Sequence, residues 1–105
     1  MTATTITGLG LSGSGISYSA IEHLIISLGD GGNTFTINST HGAATGSFVE
    51  DTILNAGDGA DIVHINDVTD ILIVNGEAAD DILNVNGTGA GSNTTLNGGL
   101  GNDVV

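Results

Sequence analysis

Apolar and polar residues alternate along this chain in short bursts, and a Gly-rich acidic turn precedes each burst. "DIVHIN" (residues 61–66) and "DILNVN" (81–86) place apolar side chains at every second position, the period of a strand with one face buried. The turns before them read "NAGDGA" and "VNGEAAD", and related turns stand at "SLGDGGN" and "NGGLGND". Alignment on the Gly that opens each turn (Gly29, Gly57, Gly76 and Gly99) puts Ile26, Leu54, Ile73 and Leu96 in one column, three places earlier. His23, Asp51, Asp70 and Asn93 then share a polar column. Beyond the turn, Asn33, Asp61, Asp81 and Asp103 align. Phe35, Val63, Leu83 and Val105 follow two places on, and Asn38, Asn66 and Asn86 five places on. This register requires one inserted residue in the third copy, "GEAADD" against "GDGAD".

Each unit therefore reads as strand, acidic Gly turn, strand and a connection of variable length. Repeats of 28, 20 and 22 residues cannot bury an apolar face singly but can do so by stacking. The predicted fold is all-β: a parallel β-solenoid of the β-helix or β-roll kind, with about four stacked coils and an atypical N-terminal coil. Right-handed crossovers are the general preference. Residues 1–20 are expected to form a cap or irregular first coil, and residues 21–105 the repeats. "STHGAATGSFVE" (39–50) is expected to protrude as a loop, and "GNDVV" stops inside the second strand of the last coil. An antiparallel β-sandwich also suits short strands and Gly turns, but does not explain columns that repeat in register.

Composition sharpens this picture mainly through charge. The 105 residues include 12 acidic side chains and no Lys or Arg, for a net charge of −12. Such a chain cannot neutralise phosphates, so nucleic-acid binding is not expected and anionic membrane surfaces are disfavoured. No apolar run approaches the length of a transmembrane helix, so membrane insertion is not expected. Cys is absent, which removes disulfides and thiolate metal sites. "MTATTITGLG" lacks the basic start of a signal peptide.

With in-register stacking, Asp61, Asp81 and Asp103 become a column of like charges about 4.8 Å apart. Repulsion between neighbours would be about 1 kcal/mol in water and about 3.5 kcal/mol at an effective dielectric of 20. With no basic side chain to pair with, the carboxylates must splay into solvent, take up protons or bind a cation. Ca²⁺ suits such turns because it accepts carboxylate and carbonyl oxygens in flexible geometry. The candidate metal ligands are Asp30, Asp58, Asp61, Asp80, Asp81 and Asp103. The competing reading is a polar corner whose Asp and Asn side chains accept hydrogen bonds from turn N–H groups.

"GGLGNDVV" (98–105) fits the G-G-x-G-x-D-x-U portion of the RTX, or haemolysin-type, calcium-binding nonapeptide, and "AGDGADIV" (56–63) resembles it with Ala at the first Gly. The resemblance implies a secreted bacterial protein with a Ca²⁺-stabilised parallel β-roll. It further implies ligation by Asp61 and Asp103 and by carbonyls near Gly57, Gly59, Gly99 and Gly101. RTX sites use tandem nonapeptides, whereas single turns recur here at 20 to 28 residues. That spacing looks closer to the long-coil Gly-Asp repeats of giant bacterial surface and matrix proteins.

Asn38, Asn66 and Asn86 are expected to form an amide ladder between rungs. Asn38, Asn86 and Asn93 also open N-x-T sequons. His23, His41 and His64 fall in different columns and are expected as isolated surface side chains. No Ser nucleophile elbow, phosphate loop or HExxH is present, and the acidic residues recur with the repeat, so no enzyme is expected. A carbohydrate-active β-helix fragment using two carboxylates is the weakest alternative. The favoured expectation is a non-catalytic extracellular or cell-surface module with a structural or adhesive role, stabilised by Ca²⁺ and contacting glycans or the cell surface. The alternative is a fibre subunit that stacks end to end, or continues in a longer chain, without metal.

Overall fold

The structure, a computed structural model, describes residues 1–8, 15–42 and 49–105. Among these the chain is all-β. Two short strands, β1 (Thr5–Ile6) and β2 (Ile16–Ser17), pair antiparallel. Seven more follow: β3 (His23–Ser27), β4 (Thr34–Ile37), β5 (Asp51–Asn55), β6 (Ile62–Ile65), β7 (Ile71–Ala78), β8 (Ile82–Val85) and β9 (Asn93–Leu100). They form two parallel sheets, ordered β3-β5-β7-β9 and β4-β6-β8, and the chain alternates between them. Parallel pairing in both sheets excludes the antiparallel sandwich.

The inner faces follow the period-2 pattern. Leu54, Leu72 and Val74 of one sheet and Phe35, Ile37, Val63, Ile65 and Leu83 of the other belong to one buried cluster. Residues between them on each strand, such as Ile53, Ile73 and His64, are only partly covered. Residues 1–3 bond to the first unit: the Asn38 N–H donates to the Met1 carbonyl (2.8 Å) and the Ala3 N–H to Ser39 Oγ (2.9 Å). Met1 itself is buried in the cluster. Val104 bridges to Ile82, so the last residues begin to pair as the second strand of the fourth unit.

The register differs from the Gly-based alignment in the third unit. Leu54 pairs with Val74, not Ile73, and Asp51 with Ile71, not Asp70. No insertion is needed: Asn55 to Asp61, Asn75 to Asp81 and Asn97 to Asp103 are the same length. The misreading has a physical cause, because glycine meets two separate demands in these turns. Gly57 and Gly99 have φ of 100° and 107°, and Gly59 and Gly101 have 139° and 144°. In the third unit these two positions are Glu77 and Ala79, held at φ of 78° and 88°. Gly76 stands one place earlier, beside Ala56 and Gly98, where space rather than φ is limiting.

Ala79 in the left-handed region costs about 1–2 kcal/mol. Ala79→Gly is therefore expected to raise stability by up to about 1 kcal/mol, after the extra freedom glycine gives the unfolded chain. A higher urea midpoint at unchanged slope would show it.

The correct register also reveals two amide ladders. The expected one is present: Asn86 Nδ2 donates to Asn66 Oδ1 (2.8 Å), and Asn66 Nδ2 to Asn38 Oδ1 (2.9 Å). A second runs along the other sheet, from Asn97 Nδ2 to Asn75 Oδ1 (2.7 Å) and from Asn75 Nδ2 to Asn55 Oδ1 (2.8 Å). The start of the 39–50 segment does not protrude. Thr40 is buried, with its hydroxyl donating to the Thr69 carbonyl and accepting from the Thr69 N–H (2.8 Å each). Residues 43–48 lie outside the described part of the chain.

Candidate metal centre

The six predicted ligands separate into an interior column and an exposed set. Asp61 and Asp81 are 1% and 0% exposed, and Asp103, in the last unit, is half-buried. Each turns one carboxylate oxygen toward the preceding unit. The Asn33 N–H donates to Asp61 Oδ1 (2.6 Å), the Asp61 N–H to Asp81 Oδ1 (2.8 Å), and the Asp81 N–H to Asp103 Oδ1 (3.0 Å). The polar-corner reading thus describes Oδ1: it satisfies a main-chain donor that would otherwise be buried without a partner.

It does not account for Oδ2. In both Asp61 and Asp81 this oxygen is buried and has no hydrogen-bond partner. Unsatisfied buried polar atoms cost about 1–3 kcal/mol, more when charged. A Cβ at Gly76 would lie 2.2 Å from Asp81 Oδ2 and 2.3 Å from the Gly98 carbonyl oxygen. Glycine leaves that space open, so a carboxylate and a carbonyl oxygen converge on it from two successive units. At Gly98 the same construction brings Asp103 Oδ2 to 2.3 Å. Burial pushes the Asp81 carboxyl above the ordinary range, and the charges of Asp61, Asp103 and Asp80 push the same way; the bond from the Asp61 N–H opposes them. Orphaned carboxylate oxygens beside carbonyls fit a hard cation such as Ca²⁺, and the chain has no Lys or Arg to take its place.

Asp30, Asp58 and Asp80 are exposed. Asp58 bridges to Ala78 in the third unit, so its column carries no carboxylate there. Asp80 Oδ1 accepts from the Asn102 N–H (2.9 Å), the work of a polar corner. Among the described residues no three His, Asp or Glu side chains gather into a group that could hold a metal ion. A cation in the interior column would therefore rest on carboxylates of successive units together with main-chain carbonyls.

The histidines do not meet. His23 pairs through Nδ1 with Asp51 Oδ1, and His64 lies beside Asn84. His41 departs from expectation: it is 7% exposed, not a surface side chain. Its Nδ1 sits 3.2 Å from Thr52 Oγ1, its Nε2 is 3.8 Å from Glu50 Oε2, and Tyr18 packs against it edge-on. The sequence carried no signal for this, because the contacts come from Tyr18, Glu50 and Thr52, which no repeat column groups with His41.

The sequence places Asn33 at the head of the interior column but assigns its amide no role. Its Nδ2 donates to the carbonyls of Gly29 (2.8 Å) and Gly31 (2.5 Å). Because both partners are acceptors, the nitrogen end of the amide must face them. The signal was available as the one amide in a column of carboxylates.

No protein-family model matches this chain, and no curated protein or solved structure matches it either. The likeness to the haemolysin-type repeat therefore rests on the quoted turn residues alone.

Proposed function

We propose that this chain is a non-catalytic structural module, a parallel β-solenoid whose units are tied together by Ca²⁺ along the Asp61–Asp81–Asp103 column. One observation carries the reading: Asp61 and Asp81 each keep a carboxylate oxygen buried and unpartnered in a chain without a basic side chain. Alternation between two parallel sheets that share one core supports the solenoid. A rigid, acidic, repetitive module of this kind suits an extracellular surface or matrix protein, where free Ca²⁺ is plentiful and Gly-Asp turns resemble the haemolysin-type repeat. In this reading Ca²⁺ neutralises the column, and Asp61, Asp81 and Asp103 hold it with turn carbonyls. Asp30, Asp58 and Asp80 contribute only surface charge.

The test is a chelator titration followed by circular dichroism. The β signal and the thermal midpoint should fall in EDTA and recover on adding CaCl₂. A midpoint indifferent to EDTA would remove the metal role.

A second reading is favoured by the chemistry of the last unit. Asn97 of the fourth unit and Asn86 of the third are the last members of their ladders, each donating to the unit before it, while β9 has a parallel neighbour on one side only. Further strands with Asn in the same columns would extend both ladders, whether they come from a second copy or from further chain. Sedimentation velocity on the same samples separates the two readings: assemblies that persist in EDTA support metal-free stacking, and monomers in both buffers oppose it.

A further inference from the structure

We propose that the Asn33 side-chain amide is a built-in substitute for the cation, closing the first turn so that Ca²⁺ is required only from the second unit onward; this rests on the Ca²⁺ reading above. The column runs Asn33, Asp61, Asp81, Asp103 by strand register and by the main-chain bonds that link these residues. Asp81 and Asp103 present an acceptor oxygen to the space at Gly76 and Gly98, whereas Asn33 presents a donor to its turn. Asp61 Oδ2 and Asp81 Oδ2 are buried with no partner. Asn33 Nδ2, by contrast, is bonded to two carbonyls of its own turn, those of Gly29 and Gly31. Main-chain carbonyls are the oxygens a Ca²⁺ ion would take alongside a carboxylate. Here an N–H₂ group occupies them, and it also lies 3.5 Å from the Ala56 carbonyl of the next unit.

The backbone agrees with a different closure. The second, third and fourth turns share left-handed φ at two positions, at Gly57 and Gly59, Glu77 and Ala79, and Gly99 and Gly101. Gly29 and Gly31 are not in that region. The first turn therefore adopts its own conformation, drawn in by the amide. The first unit is then complete in the absence of metal and gives the second something folded to pair with.

Asn33→Asp tests this directly, with bound Ca²⁺ counted by equilibrium dialysis and thermal midpoints measured in EDTA and in CaCl₂. The variant should bind one more Ca²⁺ per chain than the wild type. Its midpoint should fall by several degrees in EDTA and recover in CaCl₂. If the wild type binds Ca²⁺ but Asn33→Asp binds no more and is destabilised equally in both buffers, the amide is only a turn residue and the inference fails while the metal reading stands. If the wild type binds none, the metal reading fails and takes the inference with it. Should Asn33→Asp not fold in either buffer, Asp61→Asn decides: one fewer Ca²⁺ bound and a higher midpoint in EDTA support the inference, and unchanged binding overturns it.

Discussion

Leu54→Ala is expected to lower stability by about 3–5 kcal/mol, and Leu96→Ala by less than half of that. Both leucines occupy one column, Ile26–Leu54–Val74–Leu96, through successive parallel pairs. They differ in what lies on either side. Leu54 is fully buried, with Ile26 before it and Val74 after it, while Leu96 is only partly buried in the last strand of its sheet. Truncation of Leu54 opens a cavity walled by neighbouring units that cannot close without shifting their own ladders. Truncation of Leu96 removes a side chain that solvent already reaches. Domains of this size have about 5–15 kcal/mol of stability in all, so Leu54→Ala would leave a marginal protein. Urea denaturation of the two variants measures the difference. Equal losses would mean that burial along this column does not grade from the middle to the end.

That gradient could not be seen in the sequence, although the column nearly could. Period-2 alternation in residues 61–66 and 81–86 marked Val63, Ile65, Leu83 and Val85 as interior; the structure buries the first three, but Val85, in the last strand of its sheet, is 42% exposed. The second halves of the units were readable because Asp61 and Asp81 begin them at a fixed distance from the apolar positions. The first halves were misaligned in the third unit because Gly76 was equated with Gly57. Glycine at 57 answers a backbone torsion, and glycine at 76 answers the Asp81 carboxylate packed against it; a one-letter pattern cannot distinguish these. The slip of one residue hid the Asn55–Asn75–Asn97 ladder and moved Ile73 to the wrong face. Of the candidate site, the charge column was legible from spacing. The division of labour between Oδ1 and Oδ2, and the exposure of Asp30, Asp58 and Asp80, depend on which way each side chain leaves the turn.

Asp81→Asn is expected to stabilise the cation-free protein at neutral pH by about 1–3 kcal/mol, the usual penalty of an unsatisfied buried polar atom. The amide keeps Oδ1 for the Asp61 N–H and replaces the orphaned Oδ2 with a donor close to the Gly98 carbonyl. The wild type should also respond to pH in a particular direction. Burial, together with Asp61, Asp103 and Asp80, raises the Asp81 carboxyl above its ordinary value. The folded chain therefore holds this proton over a range in which the unfolded chain, with an Asp near about 3.9, has released it. More protons on the native state mean that stability falls as pH rises through that range, and grows on acidification toward about pH 4. Acidification also reduces the self-repulsion of a chain with a net charge of −12, which acts in the same direction. The readout is thus the difference between wild type and Asp81→Asn, which should shrink on acidification in EDTA. A bound cation reverses the sign, because it stabilises the ionised carboxylate and is lost when that group is protonated. In CaCl₂ the wild type should be the more stable protein at neutral pH and should lose that advantage as pH falls. A difference that shrinks identically in both buffers would mean that Asp81 takes up a proton, and never a metal ion, to remain buried.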